Sequence, residues 1–94
     1  MKSIQEVSGN IIYKNELGWP YRTDGPAIIT PDGNSYWYTN GNAELHRDDG
    51  PATIWANGVY VWYRNGSVHK DDGPAVAYPD GTVEYWENGK RIYK

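Results

Sequence analysis

The chain has 94 residues, a formal charge of −3, no cysteine and no phenylalanine, yet five tryptophans and nine tyrosines. That length predicts a single domain, residues 1–94, with a modestly buried core. Absence of cysteine excludes disulfide and thiolate–metal chemistry, and the acidic balance argues against a nucleic-acid binder that works by neutralising phosphates. No apolar run is long enough to cross a membrane, and the opening MKSIQEVSG lacks the apolar centre of a signal peptide. The expectation is a cytoplasmic protein without membrane contact.

Residues 1–8 carry little pattern. From Gly9 the chain matches the second half of a repeat. Aligning GNIIYKNE with NSYWYTNG sets Ile12 opposite Trp37 and Tyr13 opposite Tyr38. Tyr21-Arg22-Thr23 then takes the place later filled by His46-Arg47-Asp48 and His69-Lys70-Asp71. A half repeat, 9–23, is thus followed by full repeats 24–48, 49–71 and 72–94, each opened by Asp-Gly-Pro-Ala. A period of this length marks a stacked array of small supersecondary units. The connector NAELHRD is two residues longer than SVHKD, which suggests a wider corner at Glu44-Leu45. Lys90-Arg91-Ile92-Tyr93-Lys94 closes the chain as a partial strand.

Inside each unit the punctuation is that of β-structure. Pro31-Asp32-Gly33, Ala56-Asn57-Gly58 and Pro79-Asp80-Gly81 separate short runs rich in Val, Ile, Thr, Tyr and Trp. Asp-Gly and Asn-Gly supply the positive φ that tight hairpins need, and Asn-Gly recurs at 40–41, 65–66 and 88–89. The third corner is Asp-Gly-Pro itself: Asp24, Gly25, Pro26; Asp49, Gly50, Pro51; Asp72, Gly73, Pro74. There the Asp is expected to cap its turn, the Gly to take an unusual dihedral, and the Pro to fix φ at a strand start. The predicted fold is all-β, an antiparallel β-meander of tandem hairpin repeats in about seven to nine short strands, with no helix and a sheet free to curl. Trp37, Trp62 and Tyr85 share one register position, and Tyr38, Tyr63 and Trp86 the next, so the two sets project to opposite faces. One row should be core and the other accessible, with the Trp row the more buried.

No stretch carries recognisable catalysis. His46 and His69 occupy the same repeat position, whereas an active site is singular, so they are read as packing residues. The adjacent carboxylates of Asp48-Asp49 and Asp71-Asp72 cannot provide the oxygens that calcium takes. No glycine cluster has phosphate-loop spacing before a helix. The reading is therefore non-enzymatic, with no catalytic residue, no metal and no cofactor. A protein partner is expected instead, contacted through Tyr36, Tyr38, Tyr63 and Trp86 or along the acidic corners at Asp48 and Asp71. The alternative is a self-associating scaffold, a homodimer or array.

The sequence His-Arg-Asp-Asp-Gly-Pro-Ala at 46–52, followed by Asn57-Gly58, the pair Trp62-Tyr63, Asn65-Gly66 and His69-Lys70, resembles tandem repeats in proteins of bacteriophages and large DNA viruses. These are similar to MORN-repeat variants, including the YwqK-like proteins. The resemblance runs from Gly9 to Tyr93 and implies successive β-hairpins in an elongated sheet that serves as an interaction scaffold. The usual Tyr-x-Gly spacing of MORN units is missing, so lipid binding does not carry over. A viral source would imply a small acidic protein acting in the host cytoplasm on a host defence factor, in the manner of an anti-CRISPR inhibitor.

Overall fold

The computed structural model describes residues 2–5, 9–42 and 44–93. The chain forms an all-β antiparallel meander without helix among those residues. Its strands are β1 (Lys2–Gln5), β2 (Ile11–Lys14), β3 (Ile28–Ile29), β4 (Ser35–Tyr36), β5 (Thr53–Ile54), β6 (Tyr60–Val61), β7 (Tyr63–Arg64), β8 (Ser67–Val68), β9 (Val76–Ala77), β10 (Val83–Glu87) and β11 (Lys90–Ile92). Nine of them make one sheet in the order β1-β2-β3-β4-β5-β6-β9-β10-β11, and β7 with β8 forms a separate ribbon. The count exceeds the sequence expectation because β1 is an additional strand and because the second strand of a unit is divided at Trp62. Its first half, β6, pairs in the main sheet, while its second half, β7, turns away to pair with β8. The sheet does not close on itself, and the molecule measures 42 × 25 × 18 Å.

Two kinds of turn build the second and third units, and the first has one of them. At Trp55-Ala56-Asn57-Gly58 the Gly58 N–H donates to Trp55 O at 2.9 Å and Trp55 N–H donates to Val59 O at 2.9 Å. This is a type I turn closed by a left-handed glycine, with Gly58 at φ +93°. Proline at Pro31 and Pro79 suits the second position of the same turn because its φ is already fixed there. The other turn is the primed type, with Asn65 at φ +49° and Gly66 at +84°, repeated by Asn88 and Gly89; the expected counterpart at Asn40-Gly41 does not form it, since only its glycine has positive φ.

Hydrogen bonds correct the alignment of the first unit. Tyr13 N–H donates to Ala27 O at 2.7 Å, as Trp37 does to Ala52 and Trp62 to Ala75. Tyr13, not Ile12, therefore holds the Trp37 position. Between Tyr13 and the turn glycine Gly18 lies one residue more than between Trp37 and Gly41, which an ungapped alignment cannot accommodate. Ahead of it, β1 pairs with β2 through Ile4↔Ile12 and Gln5↔Ile11, the register in which β3 meets β4 through Ile28↔Tyr36 and Ile29↔Ser35. The half repeat thus has a first strand that lacks the Asp-Gly-Pro-Ala signature.

The connector insertion also lies elsewhere than expected. Leu45 O accepts from Gly66 N at 2.9 Å, as Val68 O accepts from Gly89 N at 2.9 Å. Leu45 matches Val68, so Glu44 matches Ser67 and the two additional positions are 42 and 43; residue 43 lies outside the described residues.

The core differs from the expectation of one buried aromatic row. Continuing the strand registers gives a cross-strand row Tyr13, Ala27, Trp37, Ala52, Trp62, Ala75, Tyr85, alternately large and small. Residues paired across strands share a face. The alanines are 0% exposed, whereas Trp37, Trp62, Tyr38 and Tyr63 are all half-buried. Each alanine is enclosed by the rings on either side of it, which gives the signature alanine its physical meaning. With one sheet layer there is no second apolar surface to cover the rings themselves, and among the described residues no large side chain is fully buried.

Candidate functional site

The corners of the units line one side of the sheet, and each is built around a cation. The Arg22 guanidinium lies 4.1 Å from the centre of the Tyr13 ring, Arg47 4.2 Å from Trp37, and the Lys70 ammonium 4.1 Å from Trp62. A cation over a ring face is attracted by the ring quadrupole. On its edge the guanidinium is tied to the corner: Arg47 Nε donates to Asp49 Oδ1 at 3.2 Å and Nη1 to Pro51 O at 3.1 Å. Arg22 repeats this with Asp24 Oδ1 at 3.0 Å and Pro26 O at 3.3 Å.

Glycine in Asp-Gly-Pro is therefore required for a reason other than the one anticipated. Gly25, Gly50 and Gly73 do not have positive φ. A Cβ at Gly50 would stand 2.5 Å from Arg47 Cζ, and one at Gly25 2.9 Å from Arg22 Cζ. The guanidinium is sandwiched between ring and bare backbone. The aspartates differ as well: Asp24 and Asp49 serve as guanidinium acceptors, while side-chain caps occur in the other turns, where Asn57 Oδ1 accepts from Val59 N and Asp80 Oδ1 from Thr82 N. Hydrogen bonding to Arg22 keeps the Asp24 carboxyl below its usual range.

His46 and His69 are buried at these corners and connect successive units. The Asn65 N–H donates to His46 Nδ1 at 3.0 Å, and the Asn88 N–H to His69 Nδ1 at 2.9 Å. A backbone amide can only donate, so Nδ1 is the unprotonated nitrogen and the proton sits on Nε2. From there it is donated to Asp48 Oδ1 at 2.8 Å and to Asp71 Oδ1 at 2.7 Å. The imidazoles are thus used up in bridging the positive-φ turn of one unit to the corner of the preceding one.

Grooves separate the corners. One of about 310 Å³ is lined by Arg47, Asp48, Trp62, Tyr63, Lys70 and Asp71 among others. A second, of about 630 Å³, is bordered by Asp24, Trp37, Arg47, Asp48 and Asp49. The candidate contact residues do not form a single patch. Asp48, Tyr63 and Asp71 meet in the smaller groove, and Trp86 lies beyond it beside Lys70 and Asp71. Tyr36 and Tyr38 belong to the face opposite the Trp row. Burial, with Tyr36 and Tyr63 nearby, holds the Tyr38 hydroxyl above the usual tyrosine range. Tyr36 meets Trp55 edge to face at 6.1 Å. Asp71 has both oxygens engaged, by His69 and by Arg64 Nη2 at 2.5 Å, and its carboxyl is lowered first by His69 and then by Arg64.

Sequence reasoning overlooked Arg22, Arg47 and Lys70 as ring-stacking groups. The legible signal was a basic residue two positions before the corner aspartate in every unit. It also missed the carboxylate of Glu84, which accepts from Trp86 Nε1 at 2.9 Å and from the Tyr78 hydroxyl at 2.7 Å. Among the described residues no group of three or more His, Asp or Glu side chains is placed to hold a metal ion. Nor is any described helix long and apolar enough to cross a membrane. Comparison of the chain with protein-family models, curated proteins and solved structures gave no match.

Proposed function

We propose that this chain is a non-enzymatic, protein-binding repeat module whose contact edge is the row of corners. One observation carries the reading: the corner carboxylates are exposed yet fixed. Asp24, Asp48 and Asp49 have side chains 81, 89 and 90% exposed, and in each one oxygen is held by Arg22, His46 or Arg47. An acceptor ordered before the partner arrives loses little side-chain entropy on binding. Between these carboxylates lie grooves with Trp37, Trp62 and Tyr63 in their walls, and aromatic anchors of that kind dominate interface energetics. The partner that fits is a protein carrying Lys or Arg at steps of about 10 Å, two strand spacings.

The test is charge reversal at Asp48 and Asp49. Asp48→Lys with Asp49→Lys should abolish capture of a candidate basic partner while Trp55→Lys, away from the corners, leaves it intact. Equal capture by both variants would sink the proposal. Resemblance to viral tandem repeats supports a narrower reading, a phage-encoded inhibitor of a host defence protein of the anti-CRISPR type, working in the host cytoplasm. Expression in bacteria with an active nuclease-based defence should then restore phage plating. The charge-reversed variant should not restore it.

A further inference from the structure

The sheet face that bears the Trp–Ala row carries a second row nearer the hairpin tips. Following the registers from β2 to β10, it reads Ile11, Ile29, Ser35, Ile54, Tyr60, Ala77, Val83. Seven strands contribute and none contributes a charge. Tyr60 and Val83 are 46% and 40% exposed, on either side of Ala77, and the remaining members are partly exposed.

We propose that this face is an interface between two copies of the chain, packed as an aligned β-sandwich with the twofold axis passing beside Ile54. Three observations point to a second copy and not to a foreign partner. The first is sequence order along the row. A twofold at Ile54 sets Ser35 opposite Tyr60 of the other copy, Ile29 opposite Ala77, and Ile11 opposite Val83, with Ile54 meeting itself. Each small side chain thereby faces a large one, the self-complementarity that an isologous interface requires. The second is charge. Each copy carries −3, and Arg22, Arg47 and Lys70 lie over the Trp–Ala row of the same face, so two copies can approach closely only along the tip row, which has no ionised side chain. A partner selected by charge would find nothing to grip here and would be drawn to the corners. The third is the missing layer. Stable domains pair two layers around a core, and a single copy offers one main sheet without a fully buried large side chain among the described residues. The two longer dimensions, 42 and 25 Å, bound the whole face at about 1,000 Å²; the uncharged half toward the tips offers about 500 Å² per copy, which meets the ~1,000 Å² total of a small biological interface. Packing at the usual angle of about 30° would leave the corner edges of both copies outward.

Sedimentation velocity of the full chain between about 1 and 200 µM tests this. Wild type should approach twice the 10.7 kDa chain mass. Tyr60→Lys should weaken dimerisation at least tenfold, whereas Trp55→Lys, equally exposed on the opposite face, should leave it unchanged. Far-UV spectra and melting curves confirm that each variant is folded. Ser35→Tyr and Tyr60→Ser should each weaken the dimer, and the double variant Ser35→Tyr/Tyr60→Ser should restore it, because the same two positions then exchange sizes. A wild-type monomer at every concentration overturns the proposal, as does a dimer indifferent to Tyr60→Lys or a double variant no tighter than the singles. None of these outcomes bears on the corner edge, which is tested separately at Asp48 and Asp49.

Discussion

A methyl group added at Gly50 would come within 2.5 Å of Arg47 Cζ, whereas one at Gly73 would meet the Lys70 ammonium at 3.3 Å. The first neighbour is clamped on Trp37, Asp49 and Pro51; the second is the end of a flexible chain resting on Trp62. Gly50→Ala should therefore cost about 1–3 kcal/mol, the range for forced overpacking, and Gly73→Ala much less. The mechanism is checked by a double-mutant cycle: in an Arg47→Ala background, Gly50→Ala should add little further loss in urea denaturation. Thr53 gives the opposite sign. It is 2% exposed and its hydroxyl has no hydrogen-bond partner among the described residues. Ile28 and Val76 hold the same position in the sister units. Thr53→Val should raise stability by about 1 kcal/mol, since a buried hydroxyl without a partner costs free energy. A fall in the urea midpoint would show that the hydroxyl has a partner after all.

Among the elements, the hairpin turns stack on one another as the strands do. A Cβ at Gly58 would lie 3.0 Å from Pro79 Cγ, but one at Gly81 in the last unit would meet nothing within 4 Å. Both glycines have φ near +90°, so the backbone strain of an L-residue, about 1–2 kcal/mol, is common to both. Gly58→Val should consequently lower the melting temperature more than Gly81→Val, the difference measuring contact between neighbouring turns. Equal losses would reduce the effect to backbone strain alone. The long connector allows a second comparison. Deleting residues 42 and 43 shortens it to the length of the later one and should preserve the fold, since loop length itself contributes little. Deleting Glu44 and Leu45 removes the carbonyl that accepts from Gly66 N and should destabilise the array. Amide exchange at Gly66 reports which deletion opens that turn.

For the molecule as a whole, pH acts through side chains held at the surface. Asp24 and Asp71 are kept below the ordinary carboxylate range by Arg22 and by His69 with Arg64, Asp80 by the Thr82 amide, and Glu84 by Trp86 and then Tyr78. A carboxyl depressed in the folded state contributes stability above its unfolded value, and that contribution is lost as pH falls through the depressed value. Tyr78, donating to Glu84, and Tyr38, by burial, are raised. Their folded form prefers the proton, so stability declines once pH exceeds the unfolded tyrosine value of about 10. Melting temperature should form a plateau between about pH 5 and 9 and fall on both sides. Glu84→Gln should flatten part of the acid limb; an unchanged profile would remove Glu84 from the account.

Fold class, the hairpin turns at Gly33, Gly58 and Gly81, and the Asn-Gly turns at 65–66 and 88–89 were legible from the sequence, because each depends on residues close along the chain. Asp-Gly and Asn-Gly set the backbone locally, and period-2 alternation separated the Trp row from the Tyr row without any tertiary information. The first unit was misaligned and its leading strand unseen, since β1 has no Asp-Gly-Pro-Ala and is defined only by pairing with β2. The roles of Gly50, Arg47 and Ala52 were hidden for a related reason. Each is fixed by a side chain distant in sequence or by a ring on an adjacent strand, and those distances exist only after the strands have paired. Which surface is left uncovered was likewise decided by tertiary structure. Alternation gives two faces, but only the pairing register of seven strands brings Ile11, Ile29, Ser35, Ile54, Tyr60, Ala77 and Val83 into one row without charge.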